Sequence, residues 1–188
     1  IITQLVIKPQ RLAEGLTWGG GVSLLEGGLV QNANYSYRIS EKGNISSFVA
    51  DSVTTTAGGK LPRKYYGVNT QVKYKMAWGF TELRAEVWKG TQTGTQQSSE
   101  TPTTVALGAD GRYAPLYVRP FKGGFLYFLQ NVVNRNHQLM LKYDWYDPNT
   151  KADGYSIGDP RTNFGEADIR FATVGAGYLY HINANLKV

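Results

Sequence analysis

No cysteine occurs among the 188 residues, which excludes a disulfide framework and any thiolate metal site. Histidine is almost as scarce, with His137 and His181 alone. Neither has a nucleophile partner in a recognisable motif and no Gly-x-Ser-x-Gly is present, so no catalytic residue is expected and the chain does not read as an enzyme. "GAGYLY", residues 175–180, lacks the third glycine of a dinucleotide fingerprint. "DPNTKADG", residues 147–154, lacks the far carboxylate that closes a calcium loop and reads as an ordinary Asp-Pro turn. No cofactor and no metal are therefore expected. No run approaches the roughly 18 apolar residues of a membrane-spanning helix. The opening "IITQLVIKPQ" has neither the cationic start nor the small-residue cleavage site of a signal peptide.

What is plentiful is glycine, at 22 residues, and aromatics, with 13 tyrosines, seven phenylalanines and four tryptophans. That composition favours sheet over helix. The formal charge of +6 favours anionic partners, whether lipid headgroups, solutes or nucleic acid. The length suits one domain spanning 1–188, with no linker and no solenoid repeat.

In "QLMLKYDWYDPN", residues 138–149, Leu139, Leu141, Tyr143 and Trp145 alternate with Gln138, Met140, Lys142 and Asp144. Successive strand side chains point to opposite faces, so one face is apolar and aromatic and the other mostly polar. "VNTQVKYKMAW" sets Val68, Thr70, Val72, Tyr74, Met76 and Trp78 against Asn69, Gln71, Lys73 and Lys75. "TELRAEVW" sets Leu83, Ala85 and Val87 against Glu82, Arg84, Glu86 and Trp88. In "ADIRFATVGAGYLY" the apolar set is read as Ile169, Phe171, Gly175, Gly177 and Leu179, against Asp168, Arg170 and Ala172. "YVRPFKGGFLYFLQ" changes phase between Arg119 and Gln130, which a bulge at Gly123–Gly124 would restore. Burying the charged face dry would cost several kcal/mol per group, so that face is wet. The apolar face then either packs inside a sandwich or meets lipid.

Strands are expected at about 1–8, 15–26, 65–77, 80–90, 115–132, 137–147, 166–180 and 184–188. Short turns at 9–14, 78–79, 133–136 and 181–183 alternate strictly with long polar connections at 27–64, 90–114 and 147–165. A meander built this way gathers its long loops at one end, as transmembrane β-barrels do. Trp18, Trp78, Phe80, Tyr178 and Tyr180 lie beside the short turns, while Tyr65, Tyr66, Trp88, Tyr143, Trp145 and Tyr146 lie toward the long loops. Two aromatic levels flanking aliphatic residues match the girdles of a barrel at both membrane interfaces. The expected fold is all-β, an up-and-down antiparallel transmembrane β-barrel. Nucleic-acid binding is not expected, because the rings lie mostly opposite the basic residues.

"YYGVNTQVKYKMAWGFTELRAEVWKGTQTGT", "YVRPFKGGFLYFLQNVV", "LKYDWYDPNT" and "ADIRFATVGAGYLYHINANLKV" together resemble the C-terminal half of outer-membrane porins of the phosphate-selective porin O and P family, and "LTWGGGVSLLEGG" resembles an earlier strand and loop of that half. The resemblance implies part of a barrel of roughly 16 strands in the outer membrane of a Gram-negative bacterium, commonly a homotrimer. It also implies passive diffusion of small anionic or polar solutes through the lumen. Porins of this family are longer and end in an aromatic residue, so the sequence is expected to cover only part of the protein. The expected pore-lining residues are Lys73, Lys75, Arg84, Arg119, Lys142 and Arg170, mixed with Glu82, Glu86, Asp144 and Asp168. That is a mild cationic excess rather than a basic ladder, so weak anion preference is expected. Glu82 and Glu86, roughly 13 Å apart along a strand, are too distant to work on one bond and read as parts of a salt-bridge network. Two other roles compete: a closed eight-stranded barrel, plugged by its own charges, that anchors without conducting, and a structural subunit of a larger outer-membrane complex. Pairing of 1–8 with 184–188 would favour the former.

Overall fold

Alternation at period two leaves no helix to form, and among the described residues the chain builds nine strands and one short 3-10 turn. The computed structural model describes residues 1–52, 57–105, 107–108, 111–183 and 186–188. The strands are β1 (Ile2–Ala13), β2 (Leu16–Val30), β3 (Ser36–Lys42), β4 (Ile45–Asp51), β5 (Lys60–Met76), β6 (Gly79–Gly94), β7 (Tyr117–Val132), β8 (Asn134–Asp147) and β9 (Phe171–Tyr180). All belong to one sheet. Strands β1, β2, β5, β6, β7, β8 and β9 run as an antiparallel meander, each hydrogen-bonded to the next. The short and long connections alternate as expected. At the first short turn Gly15 supplies a φ of +73°, a backbone that favours glycine, and its carbonyl accepts from Lys75 N at 2.7 Å. At the other tight ends Asn131 accepts from Phe80 N at 3.0 Å and donates to the carbonyls of Arg135 and His137, tying neighbouring turns together.

Several boundaries depart from expectation. The connection 27–64 is not bare loop but holds the β3–β4 hairpin, which adjoins β7 through one parallel bridge, Tyr37 to Tyr117. There β7 outreaches β8, whose pairing with it stops at Lys122–Asp147, and the hairpin joins the vacated edge. No bulge forms at Gly123–Gly124: the β6–β7 register runs unbroken from Gly94–Tyr117 to Thr81–Gln130. Arg119 shares its face with Phe121, Phe125 and Tyr127, so a mixed polar and aromatic face needs no phase change. Gln130, on the opposite face, is satisfied at the strand end by the Thr81 hydroxyl at 2.6 Å. Residues 166–170 precede β9 instead of forming its start. Of the strand expected at 184–188, residues 184–185 lie outside the described residues. The remainder folds back onto β9, with Tyr180 and Val188 exchanging two backbone hydrogen bonds of 2.7 and 3.0 Å.

The sheet is mostly antiparallel and not closed. Strand β1 pairs only with β2, and the pairing of 1–8 with 184–188 does not occur among the described residues. Among the described residues no apolar core lies under the meander. Buried apolar clusters sit at the long-connection end, one of Phe48, Tyr117 and Phe164 and one of Leu61, Leu116 and Val118.

Candidate functional site

Directly paired residues share a face, so away from the irregularities in β1 and at the end of β7 the registers assign the side chains of the meander to one side or the other. One side carries Leu5, Ile7, Val22, Leu24, Tyr66, Val68, Val72, Tyr74, Leu83, Val87, Leu126, Phe128, Leu139, Leu141, Tyr143 and Trp145. It is uncovered: Val22 is 49% exposed, Val68 60%, Val87 48% and Leu141 53%. An apolar surface extending over seven strands is far larger than soluble monomers leave open. Tyr66 and Tyr74 stand eight residues apart on it, about 27 Å along the strand, close to the apolar band of about 25 Å on a membrane barrel. Trp18, also on this side, satisfies its indole N–H on Thr70 Oγ1 at 2.9 Å. The phase expected for β9 is reversed. Leu139 pairs with Tyr178, Leu141 with Ala176 and Tyr143 with Val174, so the apolar side is the even set, and Phe171, Gly175, Gly177 and Leu179 join the polar side. The sequence misled because both sets of β9 are apolar.

The polar side gathers seven of the ten residues expected to line a pore: Lys73, Lys75, Glu82, Arg84, Glu86, Lys142 and Asp144. Glu82 is the hub, pairing with Arg84, with Lys73 at 3.9 Å, and accepting from Gln71 Nε2 at 2.6 Å. Lys142 pairs with Asp144 at 2.5 Å. Glu86 is outside this network and accepts from the Trp88 indole. Gly175 and Gly177 face Lys142 and Met140, giving room to those long side chains rather than to a neighbouring backbone.

The other three do not join that surface: Arg119 shares the polar side of β7 but is buried at the long-connection end, and Asp168 and Arg170 precede β9. Arg119 and Asp168 are 0% and 1% exposed at the side chain and pair with each other at 2.9 Å, so they line nothing. They form a clasp. Arg119 Nη1 donates to Thr95 O at 2.8 Å, Asn149 Nδ2 donates to Asp168 Oδ1 at 2.8 Å, and Gly165 N donates to Asp168 Oδ2 at 3.0 Å. Its guanidinium also lies 5.1 Å from the Phe48 ring and 5.3 Å from that of Tyr117. All three long connections thus converge on one cation. Arg170 precedes β9, exposed, beside Lys122, Tyr143 and Trp145. The sequence read Arg119 and Asp168 as wall residues because nothing local distinguishes a clasp residue from a wall residue.

Sequence reasoning missed a row of rings on the polar side. Tyr65, Trp88, Phe121, Phe125, Tyr127, Tyr146 and Phe171 all share it. Phe80 shares it too, next to Lys73, whose ammonium lies 3.9 Å from the ring centre. Parity within each strand separates this row from the outward rings; sequence position relative to the loops does not. Gly67 is needed there, since a Cβ would fall 2.7 Å from the Trp88 ring. Near the long connections a cavity of about 650 Å³ opens over Tyr65, Tyr146 and Phe171.

His137 and His181 both lie near the short turns, one beside the Tyr178 hydroxyl and the other 3.4 Å from Gln138 Oε1. Among the described residues no group of three or more His, Asp or Glu is placed to hold a metal ion. Residues 147–154 are folded by Asx-type turns, with Asn149 N donating to Asp147 at 3.3 Å and Lys151 N to Asn149 at 3.1 Å. Comparisons with protein-family models, with curated proteins and with solved structures each find no match to this chain.

Proposed function

We propose that this chain is part of the wall of an outer-membrane β-barrel porin, a water-filled path for passive diffusion of small solutes. The single observation that carries the reading is the two-sidedness of the meander: an uncovered aliphatic face with aromatic ends, backed by a face of lysine, arginine, glutamate and aspartate. Hydrocarbon tolerates the first and only water, or a complete ion-pair network, tolerates the second. The alternation of short and long connections supports the same reading, and so does the sequence resemblance to the phosphate-selective porin O and P family. An open sheet cannot sit in lipid with unpaired edges, so β1 and the β9 edge with its tail would be closed by further strands. A homotrimer belongs to the same proposal.

Selectivity would follow from the field of the wall. Lys73, Lys75, Arg84 and Lys142, joined on the same side by Arg11 and Arg63, stand against Glu82, Glu86 and Asp144, a positive excess once the Arg119–Asp168 clasp is set aside. Weak anion preference is the expected outcome. It is tested by refolding the protein into planar bilayers and measuring the reversal potential in a potassium chloride gradient. A potential of the sign expected for chloride supports the reading. Cation preference rejects the selectivity, and the absence of any conductance rejects the pore.

A further inference from the structure

We infer that the cavity at the long-connection end of the polar wall is a binding site for a neutral, short oligosaccharide. Three ring systems from three strands, Tyr65 of β5, Tyr146 of β8 and Phe171 of β9, line it. They are held in place. The buried Phe121 lies 4.9 Å from Tyr65 in an edge-on contact and 6.2 Å from Tyr146, and Tyr146 lies 5.6 Å from Phe171. Gln92 Nε2 fixes the Tyr146 hydroxyl at 2.5 Å, and Arg63 Nε fixes that of Tyr65 at 3.2 Å. Phe171 stays 57% exposed, an apolar ring in a polar setting. The rim is polar: Gln97, Ser98, Ser99, Glu100 and Thr101 from the connection after β6, and Glu166 from the 3-10 turn. The Thr101 hydroxyl is buried and has no hydrogen-bond partner among the described residues.

This combination selects a chemistry. A pyranose has an apolar C–H face that stacks on the negative face of an aromatic ring and an edge of hydroxyls that needs amide, hydroxyl and carboxylate partners. Glu100 and Glu166 outnumber Arg63 around the cavity, which opposes phosphate and nucleic acid and suits acceptors for sugar hydroxyl donors. A lipid tail would leave that rim unpaired. The volume of about 650 Å³ falls inside the range of about 300–1,000 Å³ that small-molecule sites occupy. Transport of the sugar rests on the pore proposed above, but its binding does not.

Saturation-transfer NMR on the full chain refolded in detergent tests the site, with maltotriose, cellotriose and chitotriose as probes and inorganic phosphate as competitor. Saturation should reach the ring C–H protons of at least one trisaccharide and survive a large excess of phosphate. Phe171→Ala should weaken that binding about tenfold while Phe171→Tyr retains it. Silence from all three sugars, displacement by phosphate, or unchanged binding by Phe171→Ala in a chain of native strand content overturns the inference. The bilayer measurement separates the two readings. A conducting protein that binds none of the sugars loses the sugar site and keeps the pore, whereas a binding protein without current loses the pore and keeps the site.

Discussion

Arg119 ties the three long connections together. Its charge is fully removed from water, and that is tolerable only because Asp168, Thr95 and two rings surround it. Removing the anion leaves the cation stranded, so Asp168→Ala should cost about 3–5 kcal/mol. Denaturant unfolding of the refolded protein measures the loss, and trypsin should cut faster at Lys151 and Arg161 as the connection loosens. Unchanged stability would mean that the clasp does not hold the loops. A second pair in the same connection responds to acid. The Arg161 guanidinium holds the Asp159 carboxyl down to about 2, chiefly through side-chain hydrogen bonds of which the shortest is 2.6 Å. A depressed carboxyl contributes stability that is present above its ordinary value near 4 and is lost as pH falls through about 2. An NMR titration of the Asp159 carboxyl carbon should therefore find its midpoint near 2, and a midpoint near 4 would show the pair unformed.

At the scale of the strand, the outward face gives the sharpest test of what it meets. Val72 lies opposite Trp18 and Leu83 inside the apolar band, one outward-facing position from Tyr74, so Val72→Arg should cost roughly 1–3 kcal/mol in lipid and far less in water. Unfolding in lipid vesicles measures it. The tight turn after β7 offers the opposite sign. Val133 adopts φ +64°, a region that a β-branched residue strains to occupy, and it is 84% exposed, so its side chain packs on little. Val133→Gly should raise stability by about 1 kcal/mol, read from the same unfolding curves. These strands also show what the sequence could reveal. Clean alternation in β5, β6 and β8 disclosed their faces, because lysine and valine cannot exchange sides. In β9 small and apolar residues occupy both parities, and only the pairing with β8 fixes the side. The β3–β4 hairpin stayed hidden because its stability comes from Phe48, Tyr117 and Phe164, contributed by three separate segments. The sugar cavity was invisible for the same reason: its rings are 106 positions apart in the chain, from Tyr65 to Phe171, and converge only through the register of five strands.

For the whole molecule the deciding quantity is the field behind the apolar face. Charges along a water-filled wall sum over its length, and an ion responds to the sum rather than to any one pair. Lys73 and Lys75 are side by side on that wall near the short-turn end of β5, both accessible to water and neither buried in the clasp. Changing both to glutamate converts six cations against three carboxylates into four against five. Lys73 is half-open to solvent, but its cross-strand partner Glu82 is buried; Arg84 and Gln71 still hold Glu82, yet a carboxylate at position 73 stands directly opposite it and costs stability. The double variant should still fold, with an unfolding midpoint below the parent's, while its reversal potential in a salt gradient changes sign, from chloride preference to potassium preference. Inversion of selectivity in a folded, conducting channel would mean that ions pass along the lysine-bearing face. If the potential stays put in a conducting channel, the current runs somewhere other than beside this wall, and the charged face has only a structural part to play.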